Sequence, residues 1–510
     1  MQKILPFALT GVAALLAGCG GGGGSVEAQR GGLTGPATAS VALTAAQFST
    51  SLAASPASAP LLQVAGTPVC GIDVRRIEYR TLGGTGESVT ASAAVMVPTG
   101  SAAACTGARP IVLYAHGTTT DRNFNMASFS ATNAATGEAT LVAAMYAAQG
   151  FIVVAPNYAG YDGSSSSYHP YLNANQQSAD MIDALAAART ALPTISSLPD
   201  SGRLFISGYS QGGYVAMATH RAMQAAGQTV TASAPLSAPS AISMLVEFNF
   251  SGAPALGATI FTPLLSTSWQ RQFGNVYANI NDIYEAQYSA TIDNLLPSAE
   301  SLTALVTSGR FPATQALYPA NATPGLAVPA LAPFGFYGPN NLIRASYLAS
   351  TAADIAANRC PGNAFPPTAA SLTTATPLAC TPANGFRRAA VANDLRNWTP
   401  TRPMLLCGGR DDPTVNFAST QATAGYFGTQ FAARGVPASL LTVLDLAAAS
   451  PGAGDPFAAA RAGFAQAVAA TAAGPGGAAA VVTSYHGSLV PPFCSAAARG
   501  FFQGVLATGG

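Results

Sequence analysis

Charge is what this chain has least of. Only 8% of its 510 residues are Asp, Glu, Lys or Arg, and they nearly cancel to a net charge of +1. So neutral a balance excludes electrostatic capture of nucleic acid as a main activity. Lys3 is the only lysine; the other basic residues are arginines, which alongside the abundant alanine reads as codon bias. Histidine occurs only four times, and none of the cysteines shows zinc-ligand spacing, so no metal site is expected. A long unbroken apolar span is also missing. Ile4–Ala17 is too short for a stable membrane crossing, and Ala241–Leu265 is interrupted by Glu247, Gly252, Pro254, Gly257 and Pro263, which suits buried or groove-lining helices. No internal repeat is visible.

What is present is apolar bulk. Hydrophobic residues make up 49% of the chain, enough for a large core, and length alone suggests two to four domains. The N-terminus reads as an export signal: Lys3 forms a short basic region, Ile4–Ala17 an apolar one, and Leu16-Ala17-Gly18-Cys19 looks like a bacterial lipobox. That reading removes residues 1–18 as a signal peptide and acylates Cys19, anchoring the protein to a membrane. Gly20–Gly24 and Ser25 begin a flexible tether, taken to run over residues 19–40. Gly20 after the cysteine resembles the sorting signal for the outer membrane or cell surface. The alternative is an ordinary secretory signal with a coincidental cysteine and a secreted product.

Cys19 set aside, six cysteines remain, an even number that suits disulfides in an exported chain. Fifteen pairings are possible. Proximity along the chain favours Cys70 with Cys105 and Cys360 with Cys380, leaving Cys407 with Cys494.

Strand and helix signals alternate from residue 75 onward. Arg76–Arg80 and Val89–Val97 are strand-like around a turn at Gly83-Gly84. Ile111–Ala115, Phe151–Ala155 and Leu204–Ser207 are apolar runs separated by helical stretches at 139–148 and 178–192. This rhythm predicts a doubly wound, mostly parallel sheet. One more short strand, Val230–Pro235, follows. The rhythm then breaks over residues 240–395, where helical stretches are expected near 266–309 and 339–357. It resumes with strand Pro403–Cys407, a helix over 418–434 and strand 440–445. The core therefore spans residues 41–239 and 396–510, with residues 240–395 inserted as a cap.

The apolar run 204–206 leads into Gly208-Tyr209-Ser210-Gln211-Gly212, with a helix-like segment after it. Glycine is so frequent (52 residues) that G-x-S-x-G is near chance on its own. Its strand–turn–helix context makes it a nucleophile elbow, which presents a serine at the tip of a sheet. A serine hydroxyl needs a base, and the base needs an acid to orient it. In the chain order of such elbows both lie downstream, acid before histidine. His220 falls at the far end of the elbow helix, pointing away, which leaves His486. For the acid, Gly409-Arg410-Asp411-Asp412-Pro413-Thr414-Val415 follows a strand, and its G-x-x-D-x-x-V register selects Asp412, with Asp411 as the fallback. The oxyanion needs two backbone N–H donors. Gln211 supplies one. His116-Gly117-Thr118-Thr119-Thr120, after strand 111–115, supplies the other from Thr118, or else Thr119. His116 is assigned to shaping that loop, His169 to structure with a contact near the site as its alternative, and Asp180 and Asp183 to a helix surface or its packing.

His116-Gly117-Thr118, Val154-Ala155-Pro156-Asn157-Tyr158-Ala159-Gly160-Tyr161, His169-Pro170-Tyr171-Leu172 and Gly208-Tyr209-Ser210-Gln211-Gly212-Gly213 together resemble an α/β-hydrolase, and more narrowly the secretory lipase family of lipase A type, over roughly residues 70–510. The resemblance implies hydrolysis of carboxylic esters without metal or organic cofactor, under a helical cap that covers an acyl-binding tunnel. The expected substrate is a small-molecule or lipid ester with an apolar acyl or aryl part, polyesters included. A serine peptidase or acyltransferase on the same fold is the rival enzyme. A non-catalytic surface-binding lipoprotein is disfavoured by the ordered Ser, Asp and His. Oligomeric state is not legible.

Overall fold

Residues 30–509 are described by the structure, a computed structural model. The expected signal peptide, Cys19 and the glycine run lie outside the described residues. Among the described residues nine strands form one sheet: β1 (Thr38–Leu43), β2 (Gly71–Leu82), β3 (Ser88–Thr99), β4 (Arg109–Ala115), β5 (Ile152–Pro156), β6 (Asp200–Tyr209), β7 (Ala232–Leu236), β8 (Met404–Gly408) and β9 (Leu441–Asp445). Their spatial order is β1-β2-β3-β5-β4-β6-β7-β8-β9. The β2–β3 hairpin is antiparallel, as are β1 on β2 and β5 on β3; from β5 to β9 every pairing is parallel.

The parallel strands read as continuous apolar runs because helices cover both faces of the sheet. All residues of β5, β7 and β8 are buried. The chain goes from β4 to β5 on one side and then to β6 on the other. The loops leaving β4 and β6 therefore diverge beside a crevice at their carboxyl ends, the place where open α/β sheets bind ligands. Ser210 and the loop after Ala115 sit there.

Three departures from the sequence reading have physical reasons. Residues 30–40 are docked rather than a free tether. Gly31 N donates to Arg80 O at 2.9 Å, Thr34 N to Glu78 O at 3.0 Å, and Arg30 pairs with Asp183 at 3.1 Å before β1 begins. Backbone pairing onto a sheet edge needs no apolar side chains, so a glycine- and threonine-rich segment can make it. After a shorter cap helix, Ile242–Phe250, the helix expected near 266–309 starts earlier, as Ala258–Phe273, and stops at Gly274, whose φ of 69° closes it with an N–H to Gln270 O. Only single turns follow as far as Leu302. Finally, the long stretch between β9 and His486 is filled by two helices, Ala458–Ala473 and Gly477–Ser484.

The cap, residues 240–395, spends charges internally. The Arg387 side chain is 1% exposed and is paired with Glu247 at 2.6 Å and Asp354 at 2.5 Å. At the cap's return to the core, fully buried Arg396 meets Asp394 at 3.0 Å and donates to Asn363 Oδ1 and Gly362 O. Buried charges of this kind stay buried only when so paired. Among the described residues no helix is long and apolar enough to cross a membrane. The six cysteines form the disulfides Cys70–Cys105, Cys360–Cys380 and Cys407–Cys494.

Glycines set how closely β4, β6 and the elbow helix Gln211–Ala225 approach. A Cβ on Gly212 would lie 1.9 Å from Ala115 O, and one on Gly208 2.5 Å from the same oxygen. The obstacle is backbone and has no rotamer to escape into. Gly212→Ala is expected to destabilise the fold by about 3 kcal/mol or more in chemical denaturation. Gly137→Ala, whose added methyl meets nothing within 4 Å, should be neutral or slightly stabilising.

Candidate active site

The turn after β6 puts Ser210 at φ 60° and ψ −121°, a conformation non-glycine residues rarely adopt. Its amide donates to Leu236 O at 2.9 Å, fastening the turn to β7, and the residue is 9% exposed. The hydroxyl donates to His486 Nε2 at 2.8 Å. His486 Nδ1 donates in turn to Asp412 Oδ2 at 2.7 Å. The carboxylate's other oxygen, Oδ1, accepts the Thr414 and Val415 amides at 2.9 and 3.0 Å, so the loop after β8 holds the group in one orientation. Because the carboxylate can only accept, Nδ1 carries the ring hydrogen and Nε2 is free to take a proton from Ser210. Asp411 is exposed and does not reach the ring; its amide faces Tyr485 instead.

His486 lies in a π-helical turn, Tyr485–Leu489, between Gly477–Ser484 and the last helix, Val490–Ala507. Tyr209, the residue before the serine, donates from its hydroxyl to His486 O at 2.6 Å. The Cys407–Cys494 bond joins the end of β8 to the first turns of that last helix, tying the acid loop to the histidine loop.

The loop after β4 passes beside the serine: a Cβ on Gly117 would be 3.9 Å from Ser210 Cβ. Among the described residues the Thr118 amide has no acceptor, and Gln211, first residue of its helix, has an amide without an intrahelical one. Two unengaged N–H groups thus flank Ser210. His116 lies beneath, stacked on Tyr158 at 4.1 Å with Nδ1 2.7 Å from Gly117 O and Nε2 3.2 Å from Asn157 O; burial draws its pKa down to about 4 against those two contacts, and the ring shapes the loop after β4. His220, buried against Ser233, is pulled down to about 3 in the same way.

Of two buried acidic groups, Asp180 takes the packing role the sequence offers, and Glu138 has a role that the sequence does not assign. Asp180 is buried and accepts Tyr79 OH at 2.6 Å and the Ala159 amide at 2.7 Å, so it is an internal tie between a helix and the sheet. Glu138 accepts the Gly117 amide at 3.0 Å and Tyr114 OH at 2.9 Å beneath the loop beside Ser210. A lone glutamate in the first turn of a helix carries no sequence signal for this. Among the described residues no cluster of His, Cys, Asp and Glu is placed to hold a metal ion. A groove of about 1200 Å³ between helices Leu61–Ala65, Ala458–Ala473 and Val490–Ala507 contains none of these site residues.

Solved structures with the same architecture extend over nearly the whole chain. A mutant form of the rice cell wall degrading esterase LipA from Xanthomonas oryzae is 25% identical, covering 85% of this chain and 95% of that one, with a TM-score of 0.62. A ligand-bound form of the same esterase is 23% identical over 92% and 97%, with a TM-score of 0.64. This chain has the α/β-hydrolase fold. A candidate hydrolase from Legionella pneumophila shares it at 18% identity and a TM-score of 0.59, over 81% and 91% of the two chains. Residues 138–238, from the helix bearing Glu138 to the end of β7, match the prolyl oligopeptidase family. No curated protein matches the chain in sequence. The α/β-hydrolase reading thus holds for the fold, with its helical insertion between β7 and β8.

Burial raises Glu138 from 4.5 to about 7, against the lowering effect of its bonds to Tyr114 and Gly117. The folded state therefore keeps this proton to higher pH than the unfolded chain does. Through this group, stability is full below about 4.5 and falls as pH rises towards 7. Glu138→Gln should remove that component. The melting-temperature difference, variant minus wild type, should grow in favour of the variant between pH 5 and pH 8. A difference that does not change with pH would mean that the carboxyl is already ionised at pH 5.

Proposed function

We propose that this protein is a serine carboxylic-ester hydrolase that works through an acyl-enzyme. The observation carrying the proposal is the continuous hydrogen-bond chain Ser210–His486–Asp412, with unengaged amides on either side of the serine. The likeness to an esterase over 85% of the chain supports it.

Ser210 Oγ attacks the ester carbonyl carbon as its proton passes to His486 Nε2. Asp412 stabilises the resulting imidazolium through the Nδ1 hydrogen. The carbonyl oxygen, now an oxyanion, accepts from the Thr118 and Gln211 amides. As the intermediate collapses, His486 returns the proton to the departing alkoxide, leaving the acyl group on Ser210. Water then attacks the acyl carbonyl with His486 again as base, and the carboxylic acid leaves. The substrate class is an ester with an apolar acyl or aryl part, taken up beneath a cap whose buried charges are consumed in internal pairs.

The prolyl oligopeptidase match favours a second reading, a serine peptidase. It covers the part of the fold that carries the elbow and includes neither the cap nor Asp412 and His486, so the esterase reading comes first. In both readings a fluorophosphonate should label the wild type and not Ser210→Ala, and Ser210→Ala should lose about 10⁴-fold or more in kcat. A p-nitrophenyl ester series from acetate to palmitate, set against peptide anilides, separates them. Hydrolysis of anilides alone would reject the esterase.

We further propose that the protein is an exported lipoprotein anchored through acylated Cys19. Metabolic palmitate labelling should be present in the wild type and absent in Cys19→Ser. Label persisting in the variant would reject the anchor.

A further inference from the structure

The segment Tyr168–Leu172 reaches both elements that present the unengaged amides. His169 is 1% exposed, and its Nδ1 lies 2.9 Å from Ala159 O. A carbonyl only accepts, so Nδ1 carries the hydrogen and Nε2 is an acceptor. Gln211 Nε2 donates to it at 2.6 Å and Gln177 Nε2 at 3.3 Å. Burial lowers the ring to about 3, so it stays neutral and keeps this acceptor across the working range. Two residues on, Tyr171 OH lies 2.8 Å from Thr118 Oγ1. Leu172, at φ 48°, accepts at its carbonyl from Tyr214 of the elbow helix at 3.2 Å and from Trp269 of the cap helix Ala258–Phe273 at 3.3 Å. This short segment therefore touches the loop after β4, the first residue after Ser210, the elbow helix and the cap.

We propose that His169 and Tyr171 are positioning residues that hold the Gln211 and Thr118 amides at a fixed spacing around the oxyanion by gripping the side chains of those two residues. The proposal rests on Ser210 being the nucleophile. The two amides come from separate elements, the helix after β6 and the loop after β4. They must meet one oxygen within a few tenths of an ångström. A brace that contacts each side chain directly sets their separation independently of how the two strands slide.

The test compares Tyr171→Phe, His169→Leu and His169→Gln with wild type on a short p-nitrophenyl ester. It also measures inhibition by a trifluoromethyl ketone, whose hemiketal places an anion where the ester oxyanion forms. Tyr171→Phe and His169→Leu should lower kcat about tenfold or more with KM within about twofold. Each should weaken ketone inhibition by a matching factor. His169→Gln, which offers an amide oxygen near the place of Nε2, should recover much of the loss. Thr118→Val should mimic Tyr171→Phe, and the double variant should be no worse than either single one. The proposal is overturned if Tyr171→Phe stays within about twofold of wild type, or if kcat falls while ketone affinity is unchanged. Should His169→Leu not fold, Tyr171→Phe, which removes one oxygen, decides alone. Ser210→Ala separates the two levels. If that variant is active, the nucleophile assignment fails and this proposal with it. If it is inactive and the brace variants behave as wild type, the brace alone fails.

Discussion

The closeness of three backbones at the elbow is the constraint on which the rest depends. The Ala115 carbonyl at the end of β4 faces Gly208 and Gly212, and the Leu236 carbonyl at the end of β7 faces Gly213, all at distances a Cβ could not occupy. That contact forces the sharp reversal at Ser210 and its positive φ. It also fixes the neighbours. With Ala115 pressed against the helix start, the next residues, His116–Thr118, have to run past the serine. With Leu236 accepting the Ser210 amide, β7 and then β8 are aligned so that the loop after Gly408 opens on the same side. The spacing of Ser210, the two unengaged amides and Asp412 follows from backbone packing before any polar side chain is considered.

A second constraint is electrostatic. In a chain with so few charges, several are buried and paired, as in Glu247–Arg387–Asp354 and Asp394–Arg396. Replacing such pairs with apolar groups is often neutral for stability, whereas breaking one strands a charge. Arg387 joins three separated stretches of the cap and Arg396 sits where the cap returns to the core. An alternative packing of either junction would leave an uncompensated ion. Composition poor in charge and rich in alanine offers few other devices for excluding wrong packings of small, similar helices.

The parallel core is legible because its strands are apolar runs with no polar alternation, and the helix expected over 418–434 matches Ala418–Arg434. Chain order selects Ser210, Asp412 and His486, and the His486 ring bonds to both of the others. The parts that escape the sequence depend on contacts with no periodicity. Residues 30–40 dock through backbone amides. Helices Ala458–Ala473 and Gly477–Ser484 carry so much alanine that no apolar face stands out from a polar one. Glu138 and Asp180 look like ordinary helix carboxylates until the sheet is laid beside them. His169 reads as structural, and its ring is indeed enclosed; its contact with Gln211 comes from a fold-level neighbour 42 residues away.

The position of His486 has a consequence for how the protein comes into being. The elbow and both unengaged amides precede the cap, whereas His486 lies beyond the whole of it. The serine turn and every cap helix precede His486 in chain order. The Ser210 hydroxyl therefore has no imidazole beside it until the helix Val490–Ala507 packs against the sheet and Cys494 meets Cys407.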